Sequence, residues 1–397
     1  MDLFDKCNKF TRSLEVKAMG TYPYFRPISS AADTIVTIEG QELIMIGSNN
    51  YLGLTTHPKV GEAAVAAIKK YGTGCTGSRF LNGTLDLHVE LEEELAAFMQ
   101  KEEALVFSTG FQTNLGTLSC LVGKGEYLIM DRSNHASLVD GSRLSFGKVL
   151  KYDHNDMGDL ERVLSGVNHD TAKLIVTDGV FSMEGDIVNL PGIVELAEKY
   201  KARVMVDDAH SIGVLGSTGA GTAEHFGLID NVDITMGTFS KSFASIGGFI
   251  VADSNVIEYV KHFAREMIFS ASIPPAAAAT VLAVLQIIKE EPERRERLWQ
   301  ITRRMHTELR GLGFEIGTTQ TPIVPVLVGD DMQCFTFWKM LTDAGIFANV
   351  AVPPAVVPGQ SLIRTSYSAN HTDEQLDRVL STFEEIGKKA GLISAVA

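Results

Sequence analysis

The sequence predicts an α/β protein: a mostly parallel seven-stranded sheet with helices on both faces, joined to a smaller α+β domain. Three observations carry this. From about residue 46 to 288, short apolar segments of strand length alternate with amphipathic helical stretches, the pattern of parallel strands linked by crossover helices. The residues best able to do chemistry follow those segments directly, where open α/β sheets collect ligands. Beyond Pro292 the alternation gives way to one long amphipathic helix and sparser strands.

Residues 1–45 read as a leading arm in which Tyr22-Pro23-Tyr24-Phe25-Arg26-Pro27 is extended, because each proline biases its predecessor away from helix. Ile35-Val36-Thr37-Ile38 and Leu43-Ile44-Met45-Ile46 suggest a hairpin around Gly40. Within a large domain spanning 46–288, the strand candidates are 104–107, 127–130, 149–152, 173–177, 203–206, 233–236 and 248–251. A C-terminal α+β domain is expected over 289–397. There Leu298, Ile301, Met305, Leu309 and Leu312 recur at three- and four-residue steps after Pro292 and give a helix one apolar side. Thr321 to Val328 and Leu362 to Ser366 are strand-like, and Thr372-Asp373-Glu374-Gln375 has capping-box spacing ahead of the last helix. Gly216-Ser217-Thr218-Gly219-Ala220-Gly221 lacks the dinucleotide-binding spacing and reads as a flexible loop.

Composition narrows the function. A formal charge of −14 argues against a general nucleic-acid binder, although a local basic cluster could still hold an anionic substrate. Cys7, Cys75, Cys120 and Cys334 are scattered without the spacing of a zinc site or redox dithiol, and no metal is expected. The amino terminus lacks the basic-then-apolar organisation of a signal peptide, and the apolar stretch Pro275–Ile288 is too short to cross a bilayer, so a cytoplasmic protein is expected.

The chemistry concentrates at four strand ends. Lys241, in Gly237-Thr238-Phe239-Ser240-Lys241-Ser242, sits among small residues and hydroxyls that could hold an anion beside it. A lysine whose surroundings depress its pKa is a nucleophile for carbonyl compounds, while the same lysine alone also reads as a solvated surface residue. Arg203-Val204-Met205-Val206 delivers Asp207-Asp208-Ala209-His210. A carboxylate there could keep the ring nitrogen of a pyridine-type cofactor protonated, or the pair could cap a helix. Ala104 to Phe107 leads to Ser108-Thr109-Gly110-Phe111, a strand, turn and helix start whose free amides suit a phosphate. His135 follows the 127–130 strand, where it could stack on a flat cofactor or serve as a hydrogen-bonded loop histidine.

Together with Asp178-Gly179-Val180-Phe181-Ser182-Met183-Glu184-Gly185-Asp186, these segments resemble the α-oxoamine synthase family, from about Asn50 to Thr372. The resemblance implies a pyridoxal-phosphate-dependent transferase of fold type I, with the leading arm packing with the small domain. It implies that Lys241 carries pyridoxal 5'-phosphate, Asp207 pairs with its ring nitrogen, His210 and Ser182 contact its phenolic side and His135 stacks over it. Gly110, Phe111, Thr238 and Ser240 would hold the phosphate, with Ser270 and Ala271 reaching it from a second subunit of a homodimer. Asn50, Ser78 and Arg364 would serve the substrates.

The implied reaction condenses an amino acid with an acyl-coenzyme A and releases carbon dioxide. Gly77 to Thr84, Ser142 to Phe146 and Phe181 to Pro191 look most like the bacterial members that join L-serine to a palmitoyl thioester. Phe80, where the succinyl-using branch carries an asparagine, and Leu81 suit an apolar chain. A lipid product could bring the protein into peripheral contact with a membrane. Other members of the family, and an aminotransferase using the same lysine and aspartate, are the alternatives.

Overall fold

The structure is a computed structural model and describes residues 2–394. The chain separates into two compact units, Asn49–Leu298 and a second made of the residues up to Ser48 and from Trp299 onward. These divisions fall three and ten residues beyond the boundaries read from sequence at 45 and 288. The second shift has a simple cause: Pro292 marks the start of a helix, Pro292–Gly311, and the division falls inside that helix.

In the unit formed from both chain ends, β1 (Ile35–Ile38) and β2 (Gln41–Met45) form the expected antiparallel hairpin. Its turn residues Glu39 and Gly40 both take positive φ, 52° and 81°, the backbone of a tight hairpin turn. The arm is not only extended. It also carries short helices at Asp5–Asn8 and Arg12–Ala18.

Seven strands build the sheet of the larger unit: β3 (Glu103–Phe107), β4 (Tyr127–Asp131), β5 (Lys148–Tyr152), β6 (Lys173–Asp178), β7 (Arg203–Asp207), β8 (Ile234–Thr238) and β9 (Gly248–Ala252). They lie in the order β3-β9-β8-β7-β6-β4-β5. Only β9 runs against its neighbours, so the sheet is mostly parallel, as expected. Alternate residues of one strand point to opposite faces, and the core divides accordingly. Met130, Val176 and Met205 pack with Leu118, Leu138 and Val260 from helices on one face. Ile129, Ile175, Val204 and Val206 pack with Leu160, Leu164, Ile193 and Val194 on the other. Two helical layers thus cover the sheet and leave its strand ends as the place where polar side chains can converge.

The end-segment unit is completed by β10 (Ile323–Gly329), β11 (Ile346–Phe347), β12 (Asn349–Ala351) and β13 (Ser361–Ser366). β11 adds to β2 in parallel, and β10-β13-β12 form a separate antiparallel sheet. Ile301, Met305 and Leu309 are buried there with Phe337, Trp338 and Phe383, as the helical periodicity predicts. Thr372 and Gln375 form the reciprocal cap expected of their spacing, with Gln375 N–H donating to Thr372 Oγ1 at 3.2 Å.

The segment 216–221 is held rather than loose. The Glu224 carboxylate accepts from the amides of Thr218 and Ala220 and from the hydroxyls of Ser217 and Thr218. A β-carbon at Gly216 would lie 2.0 Å from Glu224 Oε2, so the glycine makes room for the carboxylate.

Candidate active site

A cavity of about 330 Å³ opens at the carboxyl ends of β4, β6, β7 and β8, and Lys241, Asp207, His135 and His210 all line it. Gly110, Phe111, Thr238 and Ser240 line it too. A larger hollow of about 420 Å³ lies at the opposite strand ends, around Tyr127, Lys173, Arg203 and Ile234. None of the four convergent groups lines that hollow.

One end of the cavity is shaped for an anion. The helix Gly110–Leu121 begins there, and the Thr109 hydroxyl caps it by accepting from Gln112 N–H at 3.1 Å. The first-turn amides of Gly110 and Phe111 have no earlier carbonyl within the helix to bond. Thr238 Oγ1 and Ser240 Oγ stand 3.0 Å apart beside them. A β-carbon at Gly110 would come within 2.6 Å of Thr238 Oγ1, so only glycine lets the hydroxyls and the amides share one concavity.

The two aspartates after β7 separate cleanly. Asp207 faces the cavity, with Oδ1 accepting from Ala209 N–H at 3.0 Å and Oδ2 from Asn114 Nδ2 at 2.7 Å. Asp208 is fully buried elsewhere, against Thr222 N–H at 2.9 Å and its hydroxyl at 2.5 Å. Burial raises the Asp208 carboxyl to about 6, against the lowering effect of those hydrogen bonds. At the end of β6, Asp178 is raised well above the ordinary carboxyl range by burial and by the charge of Asp207. Its Oδ2 accepts from the backbone N–H of His135 at 2.8 Å. His135 caps the helix Ala136–Leu144 and is held below its ordinary pKa, chiefly by burial. His210 Nδ1 lies 2.7 Å from the buried Tyr51 hydroxyl.

Several expected site residues are not among those that line the cavity. Ser182 occupies the turn after β6, within the loop that precedes the helix Leu190–Tyr200. Ser270 accepts a hydrogen bond from Gln112 Nε2 at 3.0 Å, and the Ala271 carbonyl accepts from the Ser108 hydroxyl, so both sit beside the helix start of their own chain. Asn50 spends its amide on its own turn, accepting from Leu54 N–H at 3.0 Å and donating to Thr55 Oγ1 at 2.7 Å. The Ser78 hydroxyl is buried without a hydrogen-bond partner. Arg364 is buried in β13 of the other unit. Phe80 and Leu81 are exposed, and the Phe80 ring meets His262 edge-on.

Sequence reasoning passed over Asn114, Ser137, Tyr51 and His154. The first stands one helical turn beyond Gly110, on the same side of the helix as its start, which was a readable signal. His154 had none. It bridges Asp131 Oδ1 and Asp186 Oδ2, each at 3.1 Å, and thereby ties the end of β4 to the loop that carries Ser182. Burial alone would lower its pKa, but the two carboxylates overcome that and raise it to about 10. A histidine raised in the fold contributes stability that is complete below its ordinary pKa near 6.5 and fades as pH passes through about 10. His154→Asn should therefore lose about 1.5–3 kcal/mol near pH 6 in urea unfolding. The gap from the unsubstituted protein should close toward pH 10.5, and a gap independent of pH would refute the charge assignment.

The aminotransferase class I and II family matches residues 41–383. Serine palmitoyltransferase from Sphingobacterium spiritivorum is 52% identical over 394 residues, covering 99% of each chain. The chain belongs to this family, as an α-oxoamine synthase. A solved serine palmitoyltransferase variant from S. paucimobilis with bound PLP-myriocin shares 38% identity with this synthase, covers 99% of it and 100% of its own chain, and superposes with a TM-score of 0.96. The synthase is also 45% identical over 379 residues to 8-amino-7-oxononanoate synthase from Exiguobacterium sibiricum, covering 96% and 97% of the two chains. The sheet, its strand order and the cavity at its carboxyl edge are thus those of a fold type I transferase.

Proposed function

We propose that this synthase uses pyridoxal 5'-phosphate to condense L-serine with a long-chain acyl-coenzyme A, most simply palmitoyl, giving 3-ketodihydrosphingosine, coenzyme A and carbon dioxide. The observation that carries the reading is the convergence of Lys241, Asp207, His135 and His210 on one cavity that ends in an anion cradle. The full-length identity to serine palmitoyltransferases supports the choice of substrates.

The residues present fit the cofactor. Lys241 would tether it, Asp207 would face its ring nitrogen, His135 its ring and His210 with Ser182 its phenolic side, while Gly110, Phe111, Thr238 and Ser240 would receive the phosphate. Bound there, pyridoxal phosphate supplies an electron sink that stabilises negative charge on the substrate α-carbon. Lys241 Nζ is the base that takes the α-proton of the amino acid. Asp207, whose carboxylate accepts from Asn114 Nδ2 and Ala209 N–H, would hold a positive charge on the cofactor ring in place. His135 Nε2 donates a hydrogen bond to the thioester carbonyl, steadying the negative charge that develops on its oxygen. Arg364, with its planar fork, is proposed to read a substrate carboxylate, and Asn50 and Ser78 to border the substrates.

A homodimer is part of the reading, with Ser270 and Ala271 contributing across the subunit boundary. Sedimentation of the purified protein as a monomer would remove that part. The choice between the two aspartates is tested directly. Asp207→Asn should cut turnover by about 10²–10⁴-fold, whereas Asp208→Asn should mainly lower stability, because its hydrogen bonds run to Thr222 and Ser211. The reverse pattern in kcat and melting temperature would show the roles exchanged. An aminotransferase would instead exchange amino groups with 2-oxo acids without any thioester. Thioester-dependent carbon dioxide release without such exchange separates the two.

A further inference from the structure

We infer that Asn114 and Ser137 are positioning residues that fix His135 as the neutral tautomer with its proton on Nε2, so that the ring nitrogen left free in the cavity is a donor. The donors and acceptors leave one consistent arrangement. Ser137 backbone N–H points at His135 Nδ1 from 3.2 Å, and a backbone N–H can only donate. Nδ1 must therefore be the unprotonated nitrogen. The Ser137 hydroxyl lies 2.7 Å from the same Nδ1 and, with that nitrogen an acceptor, gives it its single proton. Ser137 Oγ is then free to accept, and Asn114 Nδ2 donates to it at 2.8 Å.

The orientation of the Asn114 amide is set from its other side. Nδ2 also donates to Asp207 Oδ2 at 2.7 Å, and an ionised carboxylate accepts only. Turning the amide over would aim Oδ1 at that carboxylate. Instead Oδ1 is left buried with no hydrogen-bond partner, a cost that the structure bears while both Nδ2 protons are used. A line of donation thus runs from Asn114 to Asp207 on one hand and through Ser137 to His135 on the other. It makes the Asp207 carboxylate and the tautomer of His135 parts of one arrangement.

Two charged groups act on the His135 ring, and a third titratable group holds its backbone. The Asp178 carboxyl accepts its backbone N–H, the Asp207 charge favours the imidazolium, and the Lys241 charge opposes it. Burial and the two donors to Nδ1 favour the neutral ring, in line with its lowered pKa. The functional weight of this rests on the proposed role of His135 toward the thioester carbonyl. The tautomer itself does not, and it is measured without substrate.

The test is nitrogen-15 NMR of histidine-labelled protein, with the His135 signal assigned by its loss in His135→Asn. In the unsubstituted protein near pH 8 the spectrum should show a bare Nδ1 and a protonated Nε2. In Ser137→Ala the neutral ring loses one of its two donors, so the second tautomer should appear and the His135 pKa should rise by roughly 0.4–1 pH unit, the size of one neutral hydrogen bond. Ser137→Thr should restore both, a rescue that a merely structural role would not give. Asn114→Ala, which frees the Ser137 hydroxyl to turn, should move the tautomer ratio in the same direction as Ser137→Ala. A protonated Nδ1 in the unsubstituted protein, or a tautomer ratio and pKa unchanged in Ser137→Ala, overturns the inference and leaves the proposed reaction standing. Loss of thioester-dependent carbon dioxide release with the tautomer as stated would instead count against the reaction alone.

Discussion

Lys241→Ala should lose turnover by at least about 10³-fold, since one substitution removes both the covalent tether and the base that takes the α-proton. The loss should appear in kcat with the fold intact, because Lys241 is only partly buried and lies in the bend after β8 rather than in either face of the core. Circular dichroism of the variant would verify the fold, and single-turnover kinetics would separate binding from chemistry. Normal multiple turnover by a folded Lys241→Ala protein would reject the site assignment at its root. The neighbouring hydroxyls offer no substitute, as neither Thr238 nor Ser240 can form a carbon–nitrogen bond to a carbonyl cofactor.

Acyl-chain length should have an effect of comparable size. Each methylene transferred from water to an apolar surface stabilises by up to ~0.8 kcal/mol, which is about a fourfold gain in kcat/KM. Lengthening the acyl group by six methylenes toward palmitoyl should thus raise kcat/KM by up to on the order of a thousandfold, until micelle formation or the end of the site intervenes. Phe80 and Leu81 are 47% and 77% exposed, apolar side chains that a bound acyl chain could cover. A kcat/KM that peaks at acetyl-coenzyme A with glycine as co-substrate would leave the cofactor chemistry intact and replace the substrate pair.

Much of this was legible because strand ends are local features. Asp207 ends a short strand and His135 and Lys241 follow within a few residues of theirs, and a parallel sheet brings such positions to one edge whatever the loops between them do. What sequence did not show are contacts that join side chains far apart along the chain. Asn114 and Asp207 are separated by 93 residues, Tyr51 and His210 by 159, and neither pairing leaves a periodicity or a spacing to read. His154 belongs to the same class, since its charge exists only because Asp131 and Asp186 meet around it in the fold.

The central claim is that the cavity joins serine to a long acyl chain with loss of the serine carboxylate. It is tested most directly by incubating purified protein, loaded with pyridoxal phosphate, with carboxyl-labelled L-serine and palmitoyl-coenzyme A, and following labelled carbon dioxide alongside mass detection of the organic product. The account predicts stoichiometric release of carbon dioxide and coenzyme A with accumulation of 3-ketodihydrosphingosine, and none of these when palmitoyl-coenzyme A is omitted. Release of carbon dioxide from alanine or glycine with a short thioester, and none from serine with palmitoyl-coenzyme A, would contradict it.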